Sequence, residues 1–203
     1  MSTPRIDKVV VPGVFSLDGQ DFDVDNNVWL VGDDDEVLVI DAPHRAEPII
    51  EAIGGRKVAG IVLTHGHNDH ITAAVALRDA VDAPIWFHPA DRMLWDVVHP
   101  DSSPDAEIAD GTRFAVAGTT LHALHTPGHS PGSTCLHAAD LRTVFTGDTL
   151  FCGGPGATGR SFSDKPTILR SITGRLLSLP ADTVEHTGHG DDTTIAAEQD
   201  NIH

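Results

Sequence analysis

Thr64-His65-Gly66-His67-Asn68-Asp69-His70 packs four candidate metal ligands into six residues. The string follows Val58–Thr64, a nearly continuous apolar run of the kind expected from a strand covered on both faces. It precedes Ile71–Ala80, whose apolar residues recur at helical spacing. In an extended segment alternate side chains share a face, so His65 and His67 address one point. As the chain turns into the helix, Asp69 and His70 project towards a second point nearby. One short loop can therefore serve two metal ions. Gly66 is expected to leave space for the turn.

Outward from this loop the chain alternates strands and helices. Lys8–Val11 and Val14–Phe15 read as a strand broken at Pro12-Gly13. Asn27–Val31 and Glu36–Asp41 form a hairpin around the acidic turn Gly32–Asp35, which reads as solvated. Glu47–Ile53 is a short helix ended by Gly54-Gly55, Pro84–His88 a strand and Ala90–Val98 a helix. Then come the short strands Arg113–Ala117, Thr120–Leu124, Ser133–Ala138 and Thr143–Thr146. A glycine-rich loop, Gly153–Gly159, leads to a helix over Thr167–Leu179 and a last strand over Thr183–His186. Strands and helices mixed in both halves predict an α/β fold of sheets faced by helices, in one domain over residues 1–203.

Three more candidate ligands sit in turns after strands, each flanked by glycine: His129, Asp148 and His189. Local ligands joined by distant ones on loops at strand ends are how rigid scaffolds assemble active sites. Composition agrees. The chain has 203 residues and 13 histidines but only 3 lysines and no tyrosine. Histidine is the commonest metal ligand. A net charge of −17 repels phosphate backbones and anionic lipid, so neither a nucleic-acid nor a membrane partner is expected. No run approaches the roughly 20 apolar residues of a membrane span, and Met1–Phe15 has no secretory pattern. Two cysteines fit a reducing compartment, so the cytoplasm is expected.

The His-x-His-x-Asp-His string, followed in order by His129, Asp148 and His189, resembles the signature of the metallo-β-lactamase-fold superfamily. Within it, the chain is similar to the glyoxalase II-like hydrolases over roughly Val10 to Glu198. The resemblance implies an αβ/βα four-layer sandwich with its site at one edge of the sheets. It implies that His65, His67 and His129 hold one metal ion, that Asp69, His70 and His189 hold another, and that Asp148 bridges both. Asp41 would support the histidine loop from behind. The implied cofactors are two divalent ions, zinc first, with iron or manganese as alternatives.

Such a site activates water and polarises a carbonyl oxygen. Asp69 would also orient the nucleophile and pass on its proton, and Asp148 would be catalytic as the bridge. A thiolate leaves without prior protonation whereas an amide nitrogen does not, which favours a small-molecule thioester substrate. An iron-dependent persulfide dioxygenase, and a lactonase or β-lactamase-like hydrolase, are the alternatives. Against the glyoxalase II pattern, a short form without the C-terminal helical domain is expected, and the 203 residues hold no tyrosine to contact substrate. Arginine outnumbers lysine 10 to 3, a usage of GC-rich genomes such as those of actinobacteria. Those bacteria use mycothiol in place of glutathione, so an acyl-mycothiol is a further expectation. Arg160 is expected to hold a substrate carboxylate, or else to form a surface ion pair. Phe162 would wall the pocket or join the core. His44 reads as a surface residue, His125 as a strand-end or supporting residue, and His88, His99, His122, His137, His186 and His203 as structural or solvated.

Overall fold

Strands apolar on both faces need cover on both sides, and the chain supplies it with two sheets and two helical layers. The computed structural model describes residues 3–202, so His203 lies outside them. The first sheet runs β1 (Arg5–Leu17), β2 (Gln20–Gly32), β3 (Glu36–Ile40), β4 (Lys57–Val62), β5 (Ile85–Phe87) and β6 (Ala106–Glu107), in that spatial order. The second is ordered β14 (Thr193–Thr194), β13 (Val184–Thr187), β10 (Thr143–Gly147), β9 (Thr134–Ala138), β8 (Thr119–His125), β7 (Arg113–Val116). A small separate hairpin joins β11 (Leu150–Phe151) to β12 (Gly154–Pro155).

Period-two alternation divides the apolar residues between layers. Trp29 and Val31 of β2 and Leu38 and Ile40 of β3 meet Leu121, Leu136 and Phe145 between the two sheets. Their neighbours Val28, Leu30, Val37 and Val39 face the other way. There they pack against α1 (Glu47–Ile53), α3 (Ala74–Val81) and α4 (Arg92–Val98) through Ile49, Ile53, Leu77 and Trp95. On the second sheet Cys135 and Val144 meet Ile168 of α5 (Lys165–Ser171) and Ile195 of α6 (Ile195–Glu198). Burial pushes the Cys135 thiol up to about 12, as suits an inert core residue. This is the four-layer αβ/βα sandwich. No helix among the described residues is long and apolar enough to cross a membrane.

The structure departs from the sequence reading in places with identifiable causes. β1 runs unbroken through Pro12, which pairs with Asp25. β1 is an edge strand, where a missing ladder donor is tolerated. β2 begins at Gln20 rather than Asn27 because Asp18 and Gly19, with φ of 54° and 72°, close a two-residue hairpin. The helix expected over Ile71–Ala80 is two, α2 (Asn68–Ile71) and α3. The helix expected over Thr167–Leu179 is α5 continued by a π-helical turn, Ile172–Leu176. Asp33 is buried rather than solvated, and its Oδ1 accepts from the Asp35 and Glu36 amides.

Beneath the second sheet, Glu185 is buried near Glu198, and its Oε2 has no hydrogen-bond partner. Burial, then the neighbouring Glu198 charge, raises its carboxyl from 4.5 to about 8. Between those values the folded chain keeps a proton that the unfolded chain releases. Stability from this group is therefore present at low pH and lost as pH rises through that window. Glu185→Gln should leave the melting temperature unchanged at pH 4 and raise it at pH 8.5. A gain of 1 kcal/mol would appear as about 2–4 °C in a chain of this size. Equal shifts at both values would contradict this reading.

Candidate metal centre

Five loops leave the C-terminal ends of β3, β4, β8, β10 and β13, and each brings a ligand or its support: Asp41, the His65–His70 segment, His129, Asp148 and His189. His65 and His67 do address one point. His67 Nδ1 lies 3.0 Å from His65 Nε2 and 2.9 Å from His129 Nε2. Asp69, His70 and His189 form a second set: His70 Nε2 lies 3.3 Å from His189 Nε2, and Asp69 Oδ2 lies 3.5 and 3.3 Å from those atoms. Asp148 stands between the sets, with carboxylate oxygens 3.2 Å from His70 Nε2, 3.4 Å from His189 Nε2 and 3.5 Å from His129 Nε2.

The bonds behind the rings fix their tautomers. Thr64 Oγ1 donates to Asp41 Oδ2 at 2.8 Å, so it accepts from His65 Nδ1 at 3.1 Å. His70 Nδ1 donates to Asp41 Oδ2 at 2.8 Å. His129 Nδ1 donates to the Ala157 carbonyl at 3.0 Å, and His189 Nδ1 to the Asp25 carbonyl at 2.9 Å. With Nδ1 the outward donor, each of these rings directs Nε2 inward, where its neutral form offers a lone pair to a metal ion. His67 instead turns Nδ1 inward and leaves its buried Nε2 without a partner, as is Asp69 Oδ1. Converging lone pairs and carboxylates repel one another unless positive charge lies among them. The donor set therefore fits divalent metal ions.

Residues 22–189 match the metallo-beta-lactamase superfamily. The chain belongs to that superfamily. A hydroxyacylglutathione hydrolase of Haemophilus influenzae is 32% identical over 189 residues, 85% of this chain and 89% of that one. The solved B3 metallo-beta-lactamase BLEG-1 superposes with a TM-score of 0.80 at 27% identity, covering 95% of this chain and 98% of the other. A structure solved in a di-iron-bound form gives 0.78 at 30% identity, with the same two coverages.

The two ligand sets of this metallo-beta-lactamase fold differ electrostatically. Burial, aided by neighbouring imidazoles, pushes His65 well below its usual range and His67 down to about 3. Burial opposes protonation at His70 and His189 too, but Asp148 and Asp69 outweigh it. They hold His70 well above its usual range and His189 up to about 10. Burial acts to raise Asp148, yet His70 and His189 hold its carboxyl well below the usual value. In the first set His65 and His67 are held neutral, whereas the second, with its carboxylates, is strongly polarised.

Asp41 supports the loop as the resemblance implies: beyond the bonds above, its Oδ1 accepts from the Thr64 amide at 2.7 Å. Asp91 escaped the sequence reading. It is buried and accepts from the Gly66 amide at 2.8 Å, Ser130 Oγ at 2.6 Å and the Gly132 amide at 2.6 Å, joining the His67 and His129 loops. Gly66 is needed for that approach rather than for a turn. A Cβ there would lie 2.8 Å from Leu94 Cβ and 2.9 Å from Asp91 Cβ.

Above the ligands opens a cavity of about 440 Å³, lined by Phe15, Val24, Asp25, Phe151, Ala157 and Gly190 besides Asp69, His129, Asp148 and His189. Arg160 and Phe162 are not among the lining residues. Arg160 is already engaged: it donates to Gln20 Oε1 at 3.0 Å and lies 4.5 Å over the Phe22 ring. Phe162, at φ 69°, is exposed. Arg160 belongs to a clasp between the 159–163 loop and the β1–β2 hairpin tip, where the Ser161 amide also donates to Asp18. No sequence signal marked Phe15, Val24 or Phe151, because a pocket wall and a core contact look alike in one sequence. His125 donates to the Pro131 carbonyl at 2.9 Å and stacks on His88.

Proposed function

We propose that this protein is a cytoplasmic, dinuclear metal-dependent hydrolase of small-molecule thioesters. Zinc is the first candidate and iron or manganese the alternatives, with His65, His67 and His129 holding one ion, Asp69, His70 and His189 the other, and Asp148 bridging. The observation that carries the reading is the inward convergence of four Nε2 atoms and two carboxylates at the floor of a cavity walled by Phe15, Val24, Asp25, Phe151 and Ala157. When bound, two divalent ions acidify water and polarise a carbonyl oxygen. The chain does the rest. Phe15, Val24 and Phe151 seat an acyl group and exclude bulk water. Asp69 Oδ1, unpartnered, accepts a proton from the attacking water and holds it. Among the described residues no lysine, tyrosine or cysteine lines the cavity to protonate an amine, whereas a thiolate needs no such help.

The cavity also bears on the thiol. Its lining includes Asp25 but no arginine or lysine, in a chain of net charge −17. This supports an uncharged carrier such as mycothiol over glutathione, which bears two carboxylates and a net negative charge. Side-by-side kinetics on one acyl group carried by mycothiol and by glutathione should give the higher kcat/KM with mycothiol, and raising the salt should narrow the gap. A preference for glutathione would overturn the carrier. Absence of thioester turnover together with oxygen consumption would replace the hydrolase by the dioxygenase. The likeness to BLEG-1 favours one further reading, β-lactam hydrolysis, and turnover of a β-lactam alone in the same assay would establish it.

A further inference from the structure

Asn26, on β2, is fully buried, and its side chain ends among the ligands of the second set. Nδ2 lies 3.0 Å from Asp69 Oδ2, 3.2 Å from His70 Nε2 and 3.4 Å from His189 Nε2. Those three atoms are 3.3–3.5 Å from one another. The four atoms thus mark the corners of a nearly regular tetrahedron. A point equidistant from corners so spaced lies about 2 Å from each, the bond length of a divalent zinc ion to nitrogen or oxygen.

The amide is held from behind. His44 Nε2 donates to Asn26 Oδ1 at 2.8 Å. His44 takes a φ of 46°, a backbone conformation that a non-glycine residue adopts at a cost. Gly13 faces the ring so closely that a Cβ there would lie 2.2 Å from it. A strained residue and a glycine clearance on different strands and loops both serve to place this imidazole against Asn26. The amide's N–H end would repel a cation among the ligands. Rotation by 180° exchanges its two ends and presents Oδ1 instead. The other His44 tautomer then accepts from Nδ2, so the support survives the turn.

We propose that Asn26, oriented by His44, is a protein ligand of the second metal ion through its side-chain oxygen. This rests on the two-metal reading above. With Asp148 it gives the second set five protein donors, three of them oxygens. A set that rich in oxygen shifts preference towards manganese or iron relative to the histidine-dominated first set.

The test is titration of the metal-free full-length protein with Co²⁺, read by ligand-field absorption and by calorimetry with Zn²⁺ and Mn²⁺. Asn26→Ala should keep the first equivalent at wild-type affinity, which also shows that it is folded, and weaken the second about 10- to 100-fold, the scale of removing a supporting group at a metal site. Asn26→Asp separates the roles, because it keeps an oxygen and loses the donor. It should bind the second equivalent at least as tightly as the wild type. If Asn26→Asp loses that equivalent as Asn26→Ala does, Asn26 only donates to Asp69 and the proposal is overturned. Wild-type affinity in Asn26→Ala overturns it equally. A wild-type chain that takes up a single ion overturns the two-metal reading itself, and the ligand assignment with it.

Discussion

Asp148→Ala should lower kcat/KM by about 10³-fold or more and leave at most one metal ion per chain. Removing one preorganised electrostatic group from an active site costs about 10²–10³-fold. Here the same side chain reaches both sets, His129 on one side and His70 and His189 on the other. Its loss also removes the largest of the charges that outweigh burial at His70 and His189. Groups acting as a unit lose activity together, not in increments. His65, His67 and His129 can still hold one ion. Elemental analysis beside steady-state kinetics would check this, and a variant with two ions or near-normal turnover would remove Asp148 from the bridge.

Asp41→Asn should weaken metal binding at the second set about 10- to 100-fold, as loss of a ligand's hydrogen-bonded partner does. Asparagine has the same shape and accepts the positive φ of 66° found here. The difference lies in the hydrogen bonds. Three donors, the Thr64 amide, Thr64 Oγ1 and His70 Nδ1, converge on two carboxylate oxygens. An amide offers one oxygen and turns N–H towards at least one of them. A buried donor left unsatisfied costs about 1–3 kcal/mol, and with the amide N–H on the Oδ2 side, facing two of the three donors, His70 is driven to the tautomer that turns N–H towards the metal. Calorimetric titration should show the second equivalent weakened, with the first, supported through Ala157 at His129, less affected. Wild-type affinity at both would make Asp41 a folding residue only.

The ligand geometry was legible because it is local or marked. His65, His67, Asp69 and His70 lie within six residues at a strand-to-helix junction, and the backbone alone directs them to two points. His129, Asp148 and His189 stood out because each follows a strand and is flanked by glycine. The layers were legible from a strand apolar on both faces, Val58–Thr64, where Ile61 and Val62 reach different cores. The hairpin at Asp18-Gly19 carried a readable sign in its Asp-Gly pair, but the acidic residues after it, unfavourable in strands, masked β2. Asn26 left a fainter mark, a polar residue at the start of a run that becomes fully buried. Asp91 left none, because its three donors come from segments 25 to 41 residues away and the contact exists only once both loops are placed. The partners of Arg160 were hidden for a similar reason. Its distance from Asp148 along the chain placed it near the site, whereas its partners, Gln20 and Phe22, lie some 140 residues earlier.

Metal stoichiometry, measured by elemental analysis of the isolated protein across a series of partly chelated samples and plotted against thioester turnover, tests the central claim most directly. Two ions per chain at full activity, with turnover falling as the second is withdrawn, is the result expected from two ligand sets sharing Asp148. Full turnover with one ion per chain, or none, would contradict it.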